Sequence, residues 1–363
     1  MGFNCGIVGL PNVGKSTLFN ALTSTSQAES ANYPFCTIDP NVGRVAVPDD
    51  RLYKLAGIVD CKNIIPSQLE FVDIAGIVKG ASKGDGLGNK FLANIRETDA
   101  ILHVVRCFED NDIVHVNGSI DPISDIETIE TELLLADLES VERRLPAMEK
   151  KLRGSKDKND IKLFEALSDV YSLLKDGKPA TDSNIYDKSI LNQLQLLTTK
   201  PVMFICNVSE NDIVTGNKYT EAVKLKANNR PIVIISASIE NEIAQLENAN
   251  EKLEFLSSLG VNSTGLDKVV KQGYELLGLM TYFTVGPNET RAWTITKGVN
   301  APQAAGIIHS DFERGFICAE TINWKDYLEY KGESGAKQAG KLRLEGKDYI
   351  VQDGDVMHFR FNV

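Results

Sequence analysis

Short apolar runs recur along the first 240 residues of the chain, and helical stretches with polar faces separate them. Five such runs lie at residues 3–9, 68–73, 100–106, 202–206 and 232–236. Strands buried on both faces of a parallel sheet have this near-continuous apolar composition, whereas surface helices show a 3.6-residue period. The alternation therefore predicts an α/β domain built on a parallel sheet.

Between residues 127 and 197 the pattern becomes helical throughout. Apolar side chains are spaced 4-3-4-3-4, which is typical of the seam between two packed helices. A second apolar series follows the polar segment 154–160, and Pro146 should kink the first helix. We expect an antiparallel helical coiled-coil hairpin inserted into the α/β domain. The seam residues are Leu134, Leu138, Val141, Leu145, Met148 and Leu152, followed by Leu163, Leu167, Val170 and Leu174.

After residue 280 the pattern changes to short alternating runs separated by glycine-rich turns. The runs at 292–296, 349–351 and 356–361 have the alternation of strands, so they predict a small β-rich domain. The expected division of the chain is an α/β domain in two parts, 1–126 and 198–280, a helical insertion at 127–197, and a β-rich domain at 281–363.

Composition narrows the class of protein. Hydrophobic residues make up 42% of the chain and charged residues 25%, which is typical of a soluble globular protein. No apolar run approaches the ~18 residues of a membrane span. The N-terminus lacks a basic leader and a small-residue cleavage site, so we expect a cytoplasmic protein that does not contact a membrane. The six cysteines form no CxxC pair, which argues against a zinc site or a disulfide framework.

Residues 9–17, Gly-Leu-Pro-Asn-Val-Gly-Lys-Ser-Thr, join the first predicted strand to a predicted helix. This is the full G-x-x-x-x-G-K-S phosphate-loop pattern, in which main-chain N–H groups and the helix N-terminus face the phosphates. Lys15 should bridge the β- and γ-phosphates as a catalytic group, and the Ser16 hydroxyl should ligate Mg²⁺. The nucleotide contacts expected from this loop are Asn12, Val13, Gly14, Lys15, Ser16 and Thr17.

A second element of the same site follows one strand later. The run at 68–73 brings Asp73 to the carboxyl end of its strand, where a doubly wound sheet presents ligand-binding residues. Asp73 should hold the metal through water, and the Gly76 amide should contact the γ-phosphate during catalysis. Thr37, in a loop marked by prolines, is a candidate metal ligand in the triphosphate state.

Three residues bear on the rate of hydrolysis. Ile77 follows Gly76 where Ras-type proteins carry the glutamine that positions the attacking water, so intrinsic hydrolysis should be slow. His115 is a candidate for positioning that water, with a solvent-exposed histidine as the alternative. Asn12 could help to hold a K⁺ ion against the phosphates, or it could brace the loop.

The tetrapeptide Asn-Val-Ser-Glu at 207–210 follows the strand at whose end switch proteins read the base. Guanine-specific proteins use Asn-Lys-x-Asp there, because the short aspartate accepts from both guanine donors. Glu210 displaces that carboxylate by one methylene, ~1.5 Å, and Val208 replaces the lysine. The Asn207 amide can pair with the N6/N7 edge of adenine, so ATP should bind better than GTP. A plain helix-start turn is the alternative. The expected base contacts are Asn207, Val208, Glu210, Ser236 and Ala237.

The tip of the predicted hairpin is basic, although the net charge of the whole chain is −11. Residues 143–162 contain eight basic and three acidic side chains. This asymmetry fits contact with a polyanion, most simply ribosomal RNA, and it equally fits a solvated helical face. No DNA contact is expected. The candidate RNA-binding residues are Arg143, Arg144, Lys150, Lys151, Arg153, Lys156 and Lys158.

These motifs, together with Asp-Phe-Glu-Arg-Gly-Phe at 311–316 and Asp-Val-Met-His-Phe-Arg-Phe-Asn-Val at 355–363, resemble the YchF family of Obg-like ATPases over the whole chain. The resemblance implies a Ras-like P-loop NTPase domain of the TRAFAC class, a coiled-coil insertion and a C-terminal TGS domain with a β-grasp fold. It also implies a preference for ATP over GTP and association with ribosomes. We therefore expect a slow, Mg²⁺-dependent ATP hydrolase that acts as a molecular switch. A GTPase of ribosome assembly and an adaptor with negligible turnover remain the alternatives.

Overall fold

The computed structural model contains two compact units. The first comprises Met1–Gly43 and Glu70–Val269, and the second comprises Arg44–Leu69 and Val270–Val363. The second unit thus includes an early segment that the sequence-based division placed with the α/β domain. The structure describes residues 3–30, 41–74, 76, 87–110, 112–114, 118–154, 157–183, 188–246 and 248–362.

Most of the first sheet lies in the first unit and has the strand order β2-β4-β1-β5-β6-β7. The pairings of β1 with β4 and β5, of β5 with β6, and of β6 with β7 are all parallel, as predicted. Every residue of β5 is buried, which explains why its sequence is mostly apolar. The strands are β1 (Asn4–Val8), β2 (Val42–Ala46), β4 (Gln68–Asp73), β5 (Ala100–Arg106), β6 (Val202–Asn207) and β7 (Ile232–Ile235).

Ten α-helices begin before residue 270 in the described residues. They are α1 (Lys15–Ser30), α2 (Asp50–Ile58), α3 (Leu87–Arg96), α4 (Pro122–Leu152), α5 (Lys158–Lys175), α6 (Lys188–Leu194), α7 (Lys218–Ala227), α8 (Ala237–Gln245), α9 (Ala249–Ser258) and α10 (Gly265–Leu276).

Helices α4 and α5 pack against each other along the apolar seam that the sequence predicted. They run antiparallel, since Lys151 pairs with Asp160 near the connecting turn and Tyr171 donates to Glu142 farther away. Helix α4 begins where the Asp121 carboxylate accepts from two main-chain N–H groups, and it continues through Pro146 to Leu152.

The second sheet has the strand order β11-β10-β12-β8-β9-β3. Its pairings are antiparallel except for those of β12 with β8 and of β3 with β9, which are parallel. The elements are β3 (Asn63–Ile65), β8 (Leu279–Val285), β9 (Glu289–Thr296), β10 (Phe316–Asn323), β11 (Arg343–Glu345), β12 (Asp355–Phe361), α11 (Ala301–Ile308), α12 (Ser310–Arg314), α13 (Trp324–Glu329) and α14 (Glu333–Gln338).

The early segment 44–69 is built into this second core. Leu52 and Leu55 of α2 are buried in one apolar cluster with Phe283 of β8. The Arg51 guanidinium lies 2.6 Å from the Asp353 carboxylate and 5.3 Å from the centre of the Phe283 ring. Helix α2 therefore contributes both apolar and charged contacts to the C-terminal sheet.

The prediction of a strand at 349–351 is wrong. In the structure Ile350 forms only an isolated bridge with Asn300, while the buried Val351 packs in the core. The carbonyl of Tyr349 caps the start of α11 by accepting from the Ala301 N–H. The alternation of apolar side chains in this run reflects a loop pressed onto the core, which has the same two-residue period as a strand. No helix in the described parts of the chain is long and apolar enough to cross a bilayer.

Candidate functional site

The phosphate loop connects β1 to α1 at the carboxyl edge of the first sheet. Asn12 and Gly14 both have positive φ angles, 62° and 96°. A side chain at Gly14 would collide with the Asn207 amide, so glycine is required there both by backbone conformation and by space. Val13 is buried, whereas Ser16 and Thr17 are exposed at the start of α1. The predicted loop is thus formed, with its helix start open to a ligand.

Lys15 is only 8% exposed, and its Nζ donates to the Leu10 carbonyl at 2.7 Å. Burial lowers the pKa of the Lys15 ammonium to about 8, against the opposing effect of the Asp73 charge. Gly76 lies next to the Lys15 ammonium: a Cβ atom added to Gly76 would be 2.9 Å from Nζ of Lys15. The structure therefore brings the two predicted catalytic groups together, while His115 lies outside the described residues.

Ser16 and Asp73 meet as the predicted metal ligands. The Ser16 hydroxyl donates to Oδ2 of Asp73 at 3.4 Å, and Oδ1 of Asp73 is buried without a hydrogen-bond partner among the described residues. Burial raises the pKa of the Asp73 carboxyl, and the Lys15 charge and the Ser16 hydroxyl oppose this rise. An unsatisfied carboxylate oxygen beside a hydroxyl is a donor set that fits Mg²⁺, which binds few protein oxygens and keeps several waters. Thr37 lies outside the described residues.

The Asn207 side chain joins three segments of the site. Its Nδ2 donates to the Val13 carbonyl at 3.0 Å, and its Oδ1 accepts from the Ala237 N–H at 2.9 Å. The expected two-point contact of this amide with adenine is not supported by this geometry, because the carbonyl oxygen is directed at Ala237. Asn207 instead braces the phosphate loop against the start of α8.

The other base-site residues have different environments. Val208 is 2% exposed and packs in an apolar cluster, so its side chain does not reach a ligand surface. Glu210 is exposed at the start of a short 3-10 helix, Glu210–Asp212. Ser236 is buried and its hydroxyl lies 3.0 Å from that of Ser238. Glu210 is thus the predicted base contact whose side chain is free to approach a nucleotide.

Two residues that hold this turn were missed by the sequence analysis. The Asp212 carboxylate accepts from the Ser209 hydroxyl at 2.9 Å and from the Asn217 amide at 2.8 Å. The Asn217 amide also donates to the Cys107 carbonyl at 2.8 Å. The available signal was the Asn217-x-x-Thr220 spacing, which forms the capping box of α7.

A third missed residue, Arg106, ends the apolar strand β5. It is 1% exposed and donates to main-chain carbonyls of the loop that follows it. That loop reaches the phosphate loop, since the Asn12 amide donates to the Val114 carbonyl at 3.2 Å. This contact agrees with the bracing role considered for Asn12. An arginine closing an otherwise apolar strand was the sequence signal.

The predicted RNA-binding residues fall into two groups. Arg144, Lys151 and Arg153 have protein partners, namely the Leu194 carbonyl, Asp160 and Glu149. The exposed residues for which the structure gives no such partner are Arg143, Lys150 and Lys158, and Lys156 lies outside the described residues.

Known proteins resemble this chain over its full length. The model of a family described as a 50S ribosome-binding GTPase matches residues 4–137, and the YchF-GTPase_C model, described as a protein of unknown function, matches 279–362. Proteins named Ribosome-binding ATPase YchF from Bacillus subtilis and Escherichia coli O157:H7 are 56% and 53% identical, with 100% of each chain covered.

Solved structures agree. The structure of the Schizosaccharomyces pombe YchF GTPase is 38% identical, with a TM-score of 0.89 over 99% of this chain and 98% of that one. A GTP-binding protein from Pyrococcus horikoshii is 20% identical over 99% of this chain and 100% of its own, and its TM-score of 0.63 reflects a shared fold. From its identity to full-length relatives, the chain belongs to the YchF family.

Proposed function

We propose that this protein is a ribosome-binding ATP hydrolase that acts as a nucleotide-dependent switch in the cytoplasm. The observation that carries this proposal is the meeting of Lys15, Ser16 and Asp73 beside a phosphate loop, with one Asp73 oxygen left without a partner. Relatives that bear the ribosome-binding ATPase name match the chain from end to end.

The chain's own groups account for phosphate binding and charge stabilisation. Main-chain N–H groups at the start of α1 bind the phosphates, aided by the positive end of the helix. The Lys15 ammonium leaves the Leu10 carbonyl for the phosphate oxygens and stabilises the negative charge that develops as water attacks the γ-phosphorus. Ser16 would hold Mg²⁺ directly and Asp73 would hold it through water, and the bound ion would neutralise phosphate charge. The bond to the bridging oxygen breaks, and ADP and phosphate leave.

Base preference rests on Glu210 in this proposal. Once Asn207 has donated to Val13, one amide N–H remains, and it can donate to N7, which adenine and guanine share. The carboxylate of Glu210 is one methylene too far out for the paired donors of guanine, so ATP binds better than GTP. GTP hydrolysis is the second candidate function, favoured by the description of the Schizosaccharomyces pombe structure as a GTPase.

The decisive experiment titrates ATP and GTP, each carrying a fluorescent ribose label, into the wild type and Glu210→Asp. The wild type should prefer ATP, and Glu210→Asp should shift the affinity ratio towards GTP by about tenfold, since a misplaced carboxylate costs about 1–3 kcal/mol. Glu251→Asp, an exposed change on α9, is the control and should leave the ratio unchanged. A wild type that prefers GTP supports the second candidate, and an unmoved ratio in Glu210→Asp removes the base argument.

The helical hairpin supplies the ribosome contact in this proposal. We take α4 and α5 as a coiled-coil arm with a basic tip for ribosomal RNA, and the second sheet as the β-grasp TGS domain. Replacing Arg143, Lys150 and Lys158 together by glutamate should weaken sedimentation with ribosomes and flatten its salt dependence. The matched control replaces three exposed lysines of the second unit, Lys54, Lys62 and Lys337.

We also propose that Asn12 helps to bind a K⁺ ion beside the phosphates. Its amide nitrogen is engaged with Val114, while its oxygen can still face a cation beside the phosphates. Hydrolysis that is faster in K⁺ than in Na⁺, with the difference lost in Asn12→Gly, is the expected result. Equal rates in the two salts would leave Asn12 with its bracing role alone.

A further inference from the structure

Arg106 is the largest fully buried side chain in the described part of the molecule. Its guanidinium donates from Nε to the Phe108 carbonyl at 3.2 Å, from Nη1 to Ile113 at 2.9 Å and from Nη2 to Asp110 at 3.1 Å. It also lies 4.7 Å from the centre of the Phe108 ring. Three carbonyls of one loop therefore converge on a single planar cation.

These three hydrogen bonds fix the conformation of the loop that follows β5. Without the guanidinium, the loop would lose its partly buried hydrogen bonds to the carbonyls of residues 108, 110 and 113. Arginine presents its donors in a rigid fork, and the single ammonium of lysine cannot reproduce it. The conformation of residues 107–110 and 112–114, which we call the Arg106 loop, thus depends on the identity of this residue.

The Arg106 loop contacts both ends of the nucleotide site. At one end the Val114 carbonyl accepts from the Asn12 amide of the phosphate loop at 3.2 Å. At the other, the Cys107 carbonyl accepts from the Asn217 amide, which also holds Asp212 of the base-site turn. The outer side of the loop is fixed by Glu109, which accepts from Tyr219 at 2.6 Å and from Lys218 at 3.0 Å.

We propose that Arg106 is a positioning residue for the nucleotide reaction, holding the Arg106 loop so that Asn12 and the Asp212 turn keep one fixed separation. It touches no substrate. It acts through Asn12, so its removal changes turnover and the order of the phosphate loop beyond any change in stability. The part of this inference that concerns turnover rests on the proposed hydrolase function.

The test compares Arg106→Lys with Arg230→Lys in the full-length protein. Arg230 is a matched control, since its guanidinium also donates to a main-chain carbonyl and lies 4.6 Å from the Phe204 ring. It precedes β7, at the edge of the sheet opposite the phosphate loop. Both changes should lower the melting temperature.

Amide hydrogen exchange of the nucleotide-free protein separates the two variants. Arg106→Lys should speed exchange across residues 9–17 by about tenfold, because losing two of three charged hydrogen bonds removes more than 1.4 kcal/mol of local order. Arg230→Lys should leave exchange there unchanged. Unchanged exchange in Arg106→Lys overturns the proposal, whether or not the protein hydrolyses ATP.

Turnover gives the second readout. In Arg106→Lys we expect kcat to fall about tenfold while KM changes less than about threefold, since the lost order is needed in the transition state. Asn12→Gly keeps the positive φ available, and in that background Arg106→Lys should lower kcat less than about twofold. If Arg106→Lys still lowers kcat about tenfold in the Asn12→Gly background, the two effects are additive and Arg106 does not act through Asn12. If Arg106→Lys does not fold, Phe108→Leu removes the stacked ring instead and should change exchange and kcat in the same directions.

Discussion

Each of the two units contains an aspartate with a buried carboxylate oxygen, and the two sites differ in how far the protein satisfies the carboxylate. Asp355, in the second unit, accepts from the Tyr349 hydroxyl at 2.7 Å and from the Gln352 N–H at 2.9 Å, with Arg343 at 3.5 Å. Asp73, in the first unit, has one 3.4 Å contact and an oxygen without a described partner. Burial raises the pKa of both carboxyls.

Under the proposed function, this difference separates a structural carboxylate from one that binds the metal. At Asp355 the protein itself supplies every partner that burial demands, so the group stabilises the second sheet. At Asp73 the burial of Oδ1 is only partly compensated, by the Lys15 charge and the Ser16 hydroxyl, so the protein without a bound cation should be less stable for it. Of these two carboxylates, the one with an unsatisfied oxygen is the one that the proposed function assigns to metal binding.

Replacing each aspartate with asparagine tests the difference between the two sites directly, and the largest effect is expected at Asp73. Asp73→Asn should slow hydrolysis about 10²- to 10³-fold, the size seen when one preorganised charged or dipolar group is removed. The stability of the Asp73→Asn variant should equal or exceed that of the wild type, because a poorly compensated charge is removed. Steady-state phosphate release and thermal unfolding measure the two quantities.

The matched change Asp355→Asn should do the reverse. The second unit should lose about 1–3 kcal/mol, since the Tyr349 and Arg343 partners keep a weaker acceptor. The rate per folded molecule should not change. If Asp73→Asn destabilises as much as Asp355→Asn and turns over normally, the distinction between the two carboxylates is wrong.

Leu55 packs from α2 into the core of the second unit. Replacing it should change the hydrolysis rate little but lower the stability of that unit clearly. Leu55→Ala should cost the second unit about 2–5 kcal/mol, as for other buried leucines. Both tryptophans of the chain, Trp293 and Trp324, lie in this unit, so their fluorescence follows its unfolding specifically. Lys54→Ala, at an exposed position of the same helix, is the control and should cost less than about 0.5 kcal/mol.

The smallest effect concerns pH. Burial holds the pKa of Lys15 at about 8 in the empty site, below its usual 10.5, so the ammonium loses its proton as pH rises through this value. Bound phosphates favour the charged form and raise the pKa again. Nucleotide affinity should therefore fall above pH 8, by at most about tenfold per pH unit, and binding at pH 9 should take up a proton.

Calorimetry in buffers of different ionisation enthalpy measures that proton uptake. Lys15→Arg keeps its charge throughout this range and should bind with no uptake from this position. Wild-type binding without proton uptake at pH 9 would mean that Lys15 is already charged in the empty site.

The phosphate site was predictable from sequence because its chemistry demands particular residues at fixed spacing. Gly14, Lys15 and Ser16 are required by backbone conformation, charge and metal ligation, and Asp73 by its place at a strand end. The five parallel strands followed from short, mostly apolar runs. These features are local, so a single sequence contains enough information to find them.

The features that sequence reasoning missed depend on contacts between distant segments. Nothing local to α2 indicates that Leu52 and Leu55 face a sheet formed after residue 279. The Asn207 amide was assigned to the base because its hydrogen bonds with Val13 and Ala237 appear only in the folded structure. Val208 was counted as a nucleotide contact because its burial could not be seen from the motif.

The route of the chain through the second unit has a consequence for its synthesis. Strand β3 ends at Ile65, and its partner β9 begins at Glu289, so about 220 residues must be translated before the pair can form. At ~5–20 residues per second this delay is about 10–45 s, during which Leu52 and Leu55 have no sheet to cover them. The apolar face of α2 therefore stays without its partner sheet during most of translation. A chaperone that binds the nascent chain early would bind at this helix.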